Sequence, residues 1–231
     1  MVKNKKSALK QKKEKTVKSK IIIIDDHPIM RRGLAELISL QPDLEVCAEA
    51  DDIKTALELI KRHQPDIAMI DLSLKNESGL ELIKDIGLRF PKVLMLVLSM
   101  HDEIFYAERV LRAGAKGYIM KQQATSQVML AIRKILAGEV YLSDAMSSKV
   151  LQNITGKKTQ NSGSPIERLS DRELEVFRMI GTGLGTRQIA ERLSRSVKTV
   201  ETYREHIKLK LGLKDSSELV QNAIQWLQTN P

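Results

Sequence analysis

Five short apolar runs, each followed by a stretch with helical periodicity, most narrow what this chain can fold into. The first, Ile21-Ile22-Ile23-Ile24, is β-branched throughout and is stopped by Asp25-Asp26. Residues 44–50, 66–71, 93–99 and 116–120 supply the other four. After each run, apolar residues recur at spacings of three and four. The sets are Leu34, Leu37 and Ile38 behind Pro28; Ile53, Ala56, Leu57 and Ile60; Leu80, Leu82, Ile83 and Ile86; Ile104, Ala107, Val110 and Leu111; and Val128, Ala131, Ile132 and Ile135. A strand that is apolar on both faces must be covered on both faces. Helices alternating with such strands do this in a doubly wound parallel sheet. The fold class expected over residues 20–140 is therefore α/β, with a five-stranded parallel sheet.

The pattern then changes. Residues 141–165 read as a linker: 151–166 is rich in Gly, Ser, Asn, Thr and Lys, and at most 141–151 has partial helical character. Residues 166–231 carry no strand signal. Helical segments fit 170–182, 186–193, 197–211 and 216–227, separated by Gly185, by Ser194-Arg195-Ser196 and by Gly212. This predicts a small all-α domain of four helices. A length of 231 residues suits two such domains.

Charge divides the chain the same way. The net +9 is concentrated in residues 1–20, which hold nine lysines and one glutamate. Residues 1–19 read as a disordered basic tail, with a solvated tail favoured over a nucleic-acid arm. Downstream, 21–150 sums to −3 and 151–231 to +4. An acidic module followed by a basic one fits a cation site and then an anion-binding surface. The single cysteine, Cys47, reads as a small buried hydrophobe. No apolar run approaches the roughly 18 residues that cross a bilayer, and the N-terminus lacks the apolar core of a signal peptide. No membrane association and a cytoplasmic location are expected.

In open parallel sheets, ligands sit beyond the carboxyl ends of the strands. The residues there are Asp25 and Asp26 after the first run, Asp71 ending the third, Ser99 ending the fourth and Lys121 after the fifth. Three carboxylates in one place repel unless a cation joins them, and hard oxygen donors suit Mg²⁺. A carboxylate can attack phosphorus, while a metal and an ammonium offset the charge of the transferred group. Each residue also has a plainer role: Asp26 could cap the helix near Pro28, Asp71 could cap a loop, and Lys121 could be solvated. It is the joint placement of all five that favours phosphoryl chemistry.

In the C-terminal part, Val200, Tyr203, Ile207 and Leu211 form one apolar face, and Lys198, Glu201, Thr202, Glu205 and Lys208 form the other, with Arg204 at the flank. Ile189, Ala190 and Leu193 give a shorter helix just upstream. A short helix, a three-residue turn and a longer helix match a helix-turn-helix, whose second helix enters the major groove. The candidate DNA-binding residues are Thr186, Arg187, Lys198, Thr199, Glu201, Thr202, Arg204, Lys208 and Lys210. Lys198, Thr202 and Arg204 could reach base edges. Glu201 and Glu205 oppose phosphates unless they are paired within the protein or accept from cytosine.

The segments Ile-Ile-Asp-Asp-His-Pro-Ile-Met-Arg-Arg-Gly-Leu, Met-Ile-Asp-Leu-Ser-Leu, Leu-Ser-Met-His and Lys-Gly-Tyr-Ile-Met-Lys resemble the receiver domain of two-component response regulators, which is flavodoxin-like. Leu-Ser-Asp-Arg-Glu-Leu-Glu-Val, Gly-Thr-Arg-Gln-Ile-Ala-Glu-Arg-Leu, Ser-Val-Lys-Thr-Val-Glu-Thr-Tyr and Ile-Lys-Leu-Lys-Leu-Gly-Leu resemble the LuxR-type helix-turn-helix. Together they resemble the NarL/FixJ family of response regulators. The resemblance implies that Asp71 is phosphorylated by a histidine kinase. It implies Mg²⁺ held by Asp26, Asp71 and the backbone carbonyl of Ser73, with Asp25 acting mainly through water. It implies Ser99 and Tyr118 as a switch pair, Tyr118 following inward as Ser99 moves, and Lys121 as the phosphate partner. It further implies a homodimer on double-stranded DNA after phosphorylation. The last helix, with Leu219, Val220, Ala223, Ile224, Trp226 and Leu227, would serve as core and in part as dimer interface. Met95, Met100, Met120 and Met129 read as core filler. A Mg²⁺-dependent phosphohydrolase is a rival reading, but the sequence offers no substrate pocket or acid/base residue for it, so no enzyme is expected. A protein-binding adaptor is the other rival, separable by salt-dependent DNA affinity.

Overall fold

The computed structural model describes residues 18–74, 78–154 and 165–229. Most of the expected basic tail and residues 155–164 of the expected linker lie outside the described residues.

The N-terminal part alternates β1 (Ser19–Ile24), α1 (Pro28–Ser39), β2 (Leu44–Ala50), α2 (Ile53–His63), β3 (Ile67–Asp71), α3 (Gly79–Arg89), β4 (Leu94–Ser99), α4 (Glu103–Arg112), β5 (Gly117–Met120) and α5 (Ala124–Leu136). All neighbouring strands pair in parallel, in the order β2-β1-β3-β4-β5. Alternate side chains leave each strand on opposite faces, and both faces are covered. Ile22, Ile24, Ala68 and Ile70 pack with α2, α3 and α4, whereas Ile21, Ile23, Ile67 and Met69 pack with α1 and α5. The strands are continuously apolar for that reason. The order reverses between β1 and β3, so Asp25, Asp26 and Asp71 meet at a topological switch point.

Of the expected linker, residues 141–154 are structured. Tyr141 bridges to Gly117, and α6 (Asp144–Ile154) follows. Tyr141 and Met146 are buried against the sheet's two cores, and Val150 packs against the same core as Met146. Packing, not propensity, holds this weakly amphipathic stretch helical. The methionine reading needs one correction: Met95 is buried, but Met100 is 49% exposed. Cys47 is half-buried, on the edge strand β2.

The C-terminal part is all helical: α7 (Asp171–Gly181), α8 (Thr186–Arg192), α9 (Val197–Leu211) and α10 (Ser216–Thr229), after a 3-10 turn over Pro165–Arg168. Its core contains Leu174, Phe177, Ile180, Ile189, Val200, Ile207, Leu219 and Ala223. Ser170 and Glu173 form a reciprocal capping box at the start of α7. Ser196 caps α9 through Thr199 N, and Gly212 ends that helix at φ +68°. Among the described residues, no helix is long and apolar enough to cross a membrane.

The two parts touch. Phe105 and Tyr106 of α4 pack on the C-terminal core, with the Phe105 and Trp226 ring centroids 5.3 Å apart. Asp171 accepts from Lys84 and Arg109 at 3.0 Å each, Arg109 also donates to Leu169 O at 2.7 Å, and Arg172 pairs with Glu81 at 3.4 Å. Part of the apolar surplus on α10 is thus spent on the N-terminal domain, while Ile224 stays exposed.

Candidate acidic site and helix-turn-helix surface

The parallel register carries β1, β3, β4 and β5 to one edge, and the residues that follow them converge there. Ligand atoms of Asp25, Asp26, His27 and Asp71 all lie within 4.8 Å of one another. Asp71 is 1% exposed, and burial pushes its carboxyl above the usual aspartate range, against the pull of Lys121 and of Ser73 N. The buried Lys121 ammonium lies 2.7 Å from Asp25 Oδ2 and 2.8 Å from Asp71 Oδ2. Burial works against its charge, but the Asp71 and Asp25 carboxylates outweigh that and hold it above the ordinary lysine value.

Asp26 does not cap α1. The N-cap position is His27, which makes no side-chain cap. Its backbone N–H instead donates to Asp25 Oδ1 at 2.8 Å, and Arg31 donates to Asp25 O at 2.5 Å. Asp26 Oδ1 is buried and accepts no hydrogen bond, although His27 Nδ1 is 2.8 Å away. A buried carboxylate oxygen without a donor, among three clustered carboxylates, is a donor set that fits a hard divalent cation.

Ser99 and Tyr118 do not face each other across open space. Ser99 Oγ accepts from His101 N at 3.1 Å, and the Tyr118 hydroxyl donates to His101 O at 2.7 Å. The Tyr118 ring is 1% exposed and burial raises its pKa. The ring is part of the core between α4 and the sheet.

Sequence reasoning passed over three residues: His27, His101 and Arg178. The histidines lie inside the motifs Asp-Asp-His-Pro and Leu-Ser-Met-His. His101 Nε2 meets Ser73 Oγ at 2.8 Å and Arg178 Nη1. A guanidinium can only donate, so Nε2 accepts and the ring proton belongs on Nδ1. Burial, then the Arg178 and Lys121 charges, lower the His101 pKa to about 3.

On the C-terminal part, Lys198, Glu201 and Thr202 lie exposed on the outer face of α9, with Arg187 exposed on α8 and Thr186 opening that helix. Thr199 is tied to the Ser196 cap, and Arg204 is half-buried at the flank. Glu205 pairs with Lys208 at 2.9 Å. Lys210 does not join this face: its ammonium lies 2.5 Å from Glu173 of α7. The N-terminal domain leaves the outer face of α9 uncovered.

A doubly wound sheet with an acid trio and a lysine at its carboxyl edge, joined to a helix-turn-helix, defines a receiver coupled to a DNA-binding domain. Residues 21–133 match the response regulator receiver domain, and residues 167–223 match the bacterial regulatory proteins of the luxR family. The chain belongs to the NarL/FixJ family of response regulators, transcription regulators that bind DNA. It is 40% identical over 210 residues to the oxygen regulatory protein NreC of Staphylococcus aureus strain bovine RF122 / ET3-1, covering 89% of this chain and 97% of that one. RcsB from Salmonella enterica serovar Typhimurium, solved on a promoter in the presence of the phosphomimetic BeF3⁻, is 26% identical with a TM-score of 0.67, over 89% of this chain and 98% of that one. A structure of two RcsB dimers on two parallel DNAs is 27% identical with a TM-score of 0.55, over 90% and 98%.

Proposed function

We propose that phosphorylation of Asp71 by a partner histidine kinase, dependent on Mg²⁺, controls dimerisation and sequence-specific DNA binding, and so transcription. The observation that carries this reading is the cluster of three carboxylates, Asp25 and Asp71 buried and Asp26 half-buried, in which Lys121 clamps Asp71 and Asp25.

Asp26, Asp71 and the Ser73 carbonyl would hold the metal, with Asp25 acting through water. When bound, Mg²⁺ neutralises charge on the transferring phosphoryl group. Asp71 supplies the attacking oxygen, and Ser73 N, 3.0 Å from Asp71 Oδ1, fixes the carboxylate's orientation. Lys121, already at Asp71, pairs with a phosphoryl oxygen. Ser99 moves to donate its hydroxyl proton to the same group, which draws its oxygen away from the His101 N–H that it now accepts. That movement would loosen residues 99–101, to which Tyr118 is tied, at the start of the loop leading to α4. The partner kinase has a surface to meet beside the site: Ile29 is 89% exposed, and Ile29, Met30, Leu37, Leu40 and Met100 flank Lys121 around one apolar hollow.

On DNA, Lys198, Thr202 and Arg204 reach toward bases or phosphates from α9, with Thr186, Arg187 and Thr199 near the backbone. Glu201 has no partner among the described residues, which leaves it able to accept from cytosine N4. The exposed Ile224 on α10 supports a dimer contact, and RcsB has been solved as dimers bound to DNA. The domain limits 20–140 and 166–231, the second including the residues beyond α10, and a cytoplasmic location belong to the same proposal.

The test is labelling with a phosphodonor and Mg²⁺. Wild type takes up phosphate and Asp71→Asn does not; equal labelling of the two ends the assignment.

A further inference from the structure

A cavity of about 300 Å³ lies between the two domains beside the acidic site, at the lower end of ligand-sized pockets. Asp26, Ser73 and His101 line it from the receiver, and Arg178 and Arg192 from the C-terminal domain. Its charges are not balanced locally. Asp171 is taken by Lys84 and Arg109, and Glu175 by Arg172 at 2.7 Å. Arg178 is half-buried, and its partners are the His101 imidazole, the Tyr106 hydroxyl at 3.5 Å and the face of the Tyr106 ring, 5.9 Å from the guanidinium carbon. Among the described residues, no carboxylate lies within ion-pairing distance of it. A partly desolvated guanidinium facing a cavity without an anion is an anion site waiting to be filled.

Its position says which anion. In-line attack by Asp71 places the departing group on the far side of phosphorus. Ser73, whose amide holds Asp71 and whose hydroxyl meets the same His101 nitrogen as Arg178, marks the wall shared by the acidic site and the cavity. We propose that the docked DNA-binding domain completes a two-domain pocket for small acyl phosphates, in which Arg178 receives the carboxylate that leaves. The Asp71 oxygen–phosphorus bond forms as the phosphorus–acyl oxygen bond breaks. The carboxylate departs with the bonding pair, and no proton moves. Arg192, exposed at the mouth, helps draw the donor in.

This rests on the reading of Asp71 as the acceptor, and the experiment separates the two. Full-length wild type, Arg178→Met and Arg178→Lys are labelled in Mg²⁺ with acetyl phosphate and, separately, with phosphoramidate. Phosphoramidate loses neutral ammonia and has no use for an anion subsite. The expected result is a loss of about tenfold in the acetyl phosphate rate for Arg178→Met, the size of one charge-assisted hydrogen bond. Arg178→Lys should lie between, and phosphoramidate labelling should stay within about twofold for all three. Equal slowing with both donors, or none with either, overturns the subsite and leaves Asp71 in place. Failure of acetyl phosphate alone to label wild type overturns the subsite; failure of both donors to label Asp71 takes down both readings.

Discussion

The acidic site depends on residues that carry no charge. Gly79 opens α3 with its N–H on Leu72 O at 3.1 Å, and a Cβ there would sit 2.2 Å from Asp71 O and 2.6 Å from Leu72 Cα. Both are backbone atoms and cannot swing aside. Gly79→Ala should therefore cost about 2–3 kcal/mol in urea denaturation and slow Asp71 labelling, since the same shift displaces the β3–α3 junction. Wild-type stability in that variant would show that the junction yields freely. The charged members of the site were legible in the sequence because each follows an apolar run, and parallel topology brings such positions together whatever their separation. Gly79, His101 and Arg178 were not. The first is fixed by a backbone approach that leaves no trace in hydropathy. The other two meet across 77 residues and two domains, where no periodicity connects them.

At the scale of elements, the strands began and ended close to where the apolar runs did, because burial on both faces writes itself directly into composition. Helix α6 was harder to see: its sequence is only weakly amphipathic, and the polar stretch after it resembles its own sequence. On α9, sequence gave two faces but not the loyalty of each lysine. Lys198 is exposed on the outer face, whereas Lys210 is held by Glu173, which is 3% exposed and also caps α7. Their alanine variants should part company. Lys198→Ala should weaken binding to duplex DNA and lower the slope of log affinity against log salt by about one, with stability unchanged. Lys210→Ala leaves a buried carboxylate short of its cation and should cost about 1–3 kcal/mol of stability, with the salt slope intact. Titrations across a salt series and urea curves on both proteins measure this. The same loss of slope in both variants would mean that Lys210 leaves Glu173 for DNA.

At the scale of the whole molecule, the two domains are held by a small apolar contact and a few partly exposed ion pairs, the kind of interface that opens readily. Asp171 is its polar centre. Burial alone would raise its pKa, but Lys84 and Arg109 pull harder and leave it below the ordinary aspartate value. A carboxyl depressed in the docked state strengthens docking at every pH above its normal pKa, about 3.8, and loses that contribution only as acid takes it through the depressed value. Docking by this pair should thus be flat from pH 8 to 5. Trp226 is the sole tryptophan and sits between Phe105 of the receiver and Phe177 of its own domain, so its accessibility to acrylamide reads the interface directly. Asp171→Asn keeps the shape and removes the charge. It should shift the balance toward the open form by about tenfold, roughly 1–2 kcal/mol for two partly screened pairs, and raise Trp226 quenching at pH 7 with far-UV circular dichroism unchanged. Added salt should move wild type toward the same value and leave the variant nearly still. Quenching that is identical in the two proteins at low salt would assign the interface to Phe105, Tyr106 and Trp226 alone, with the ion pairs as bystanders.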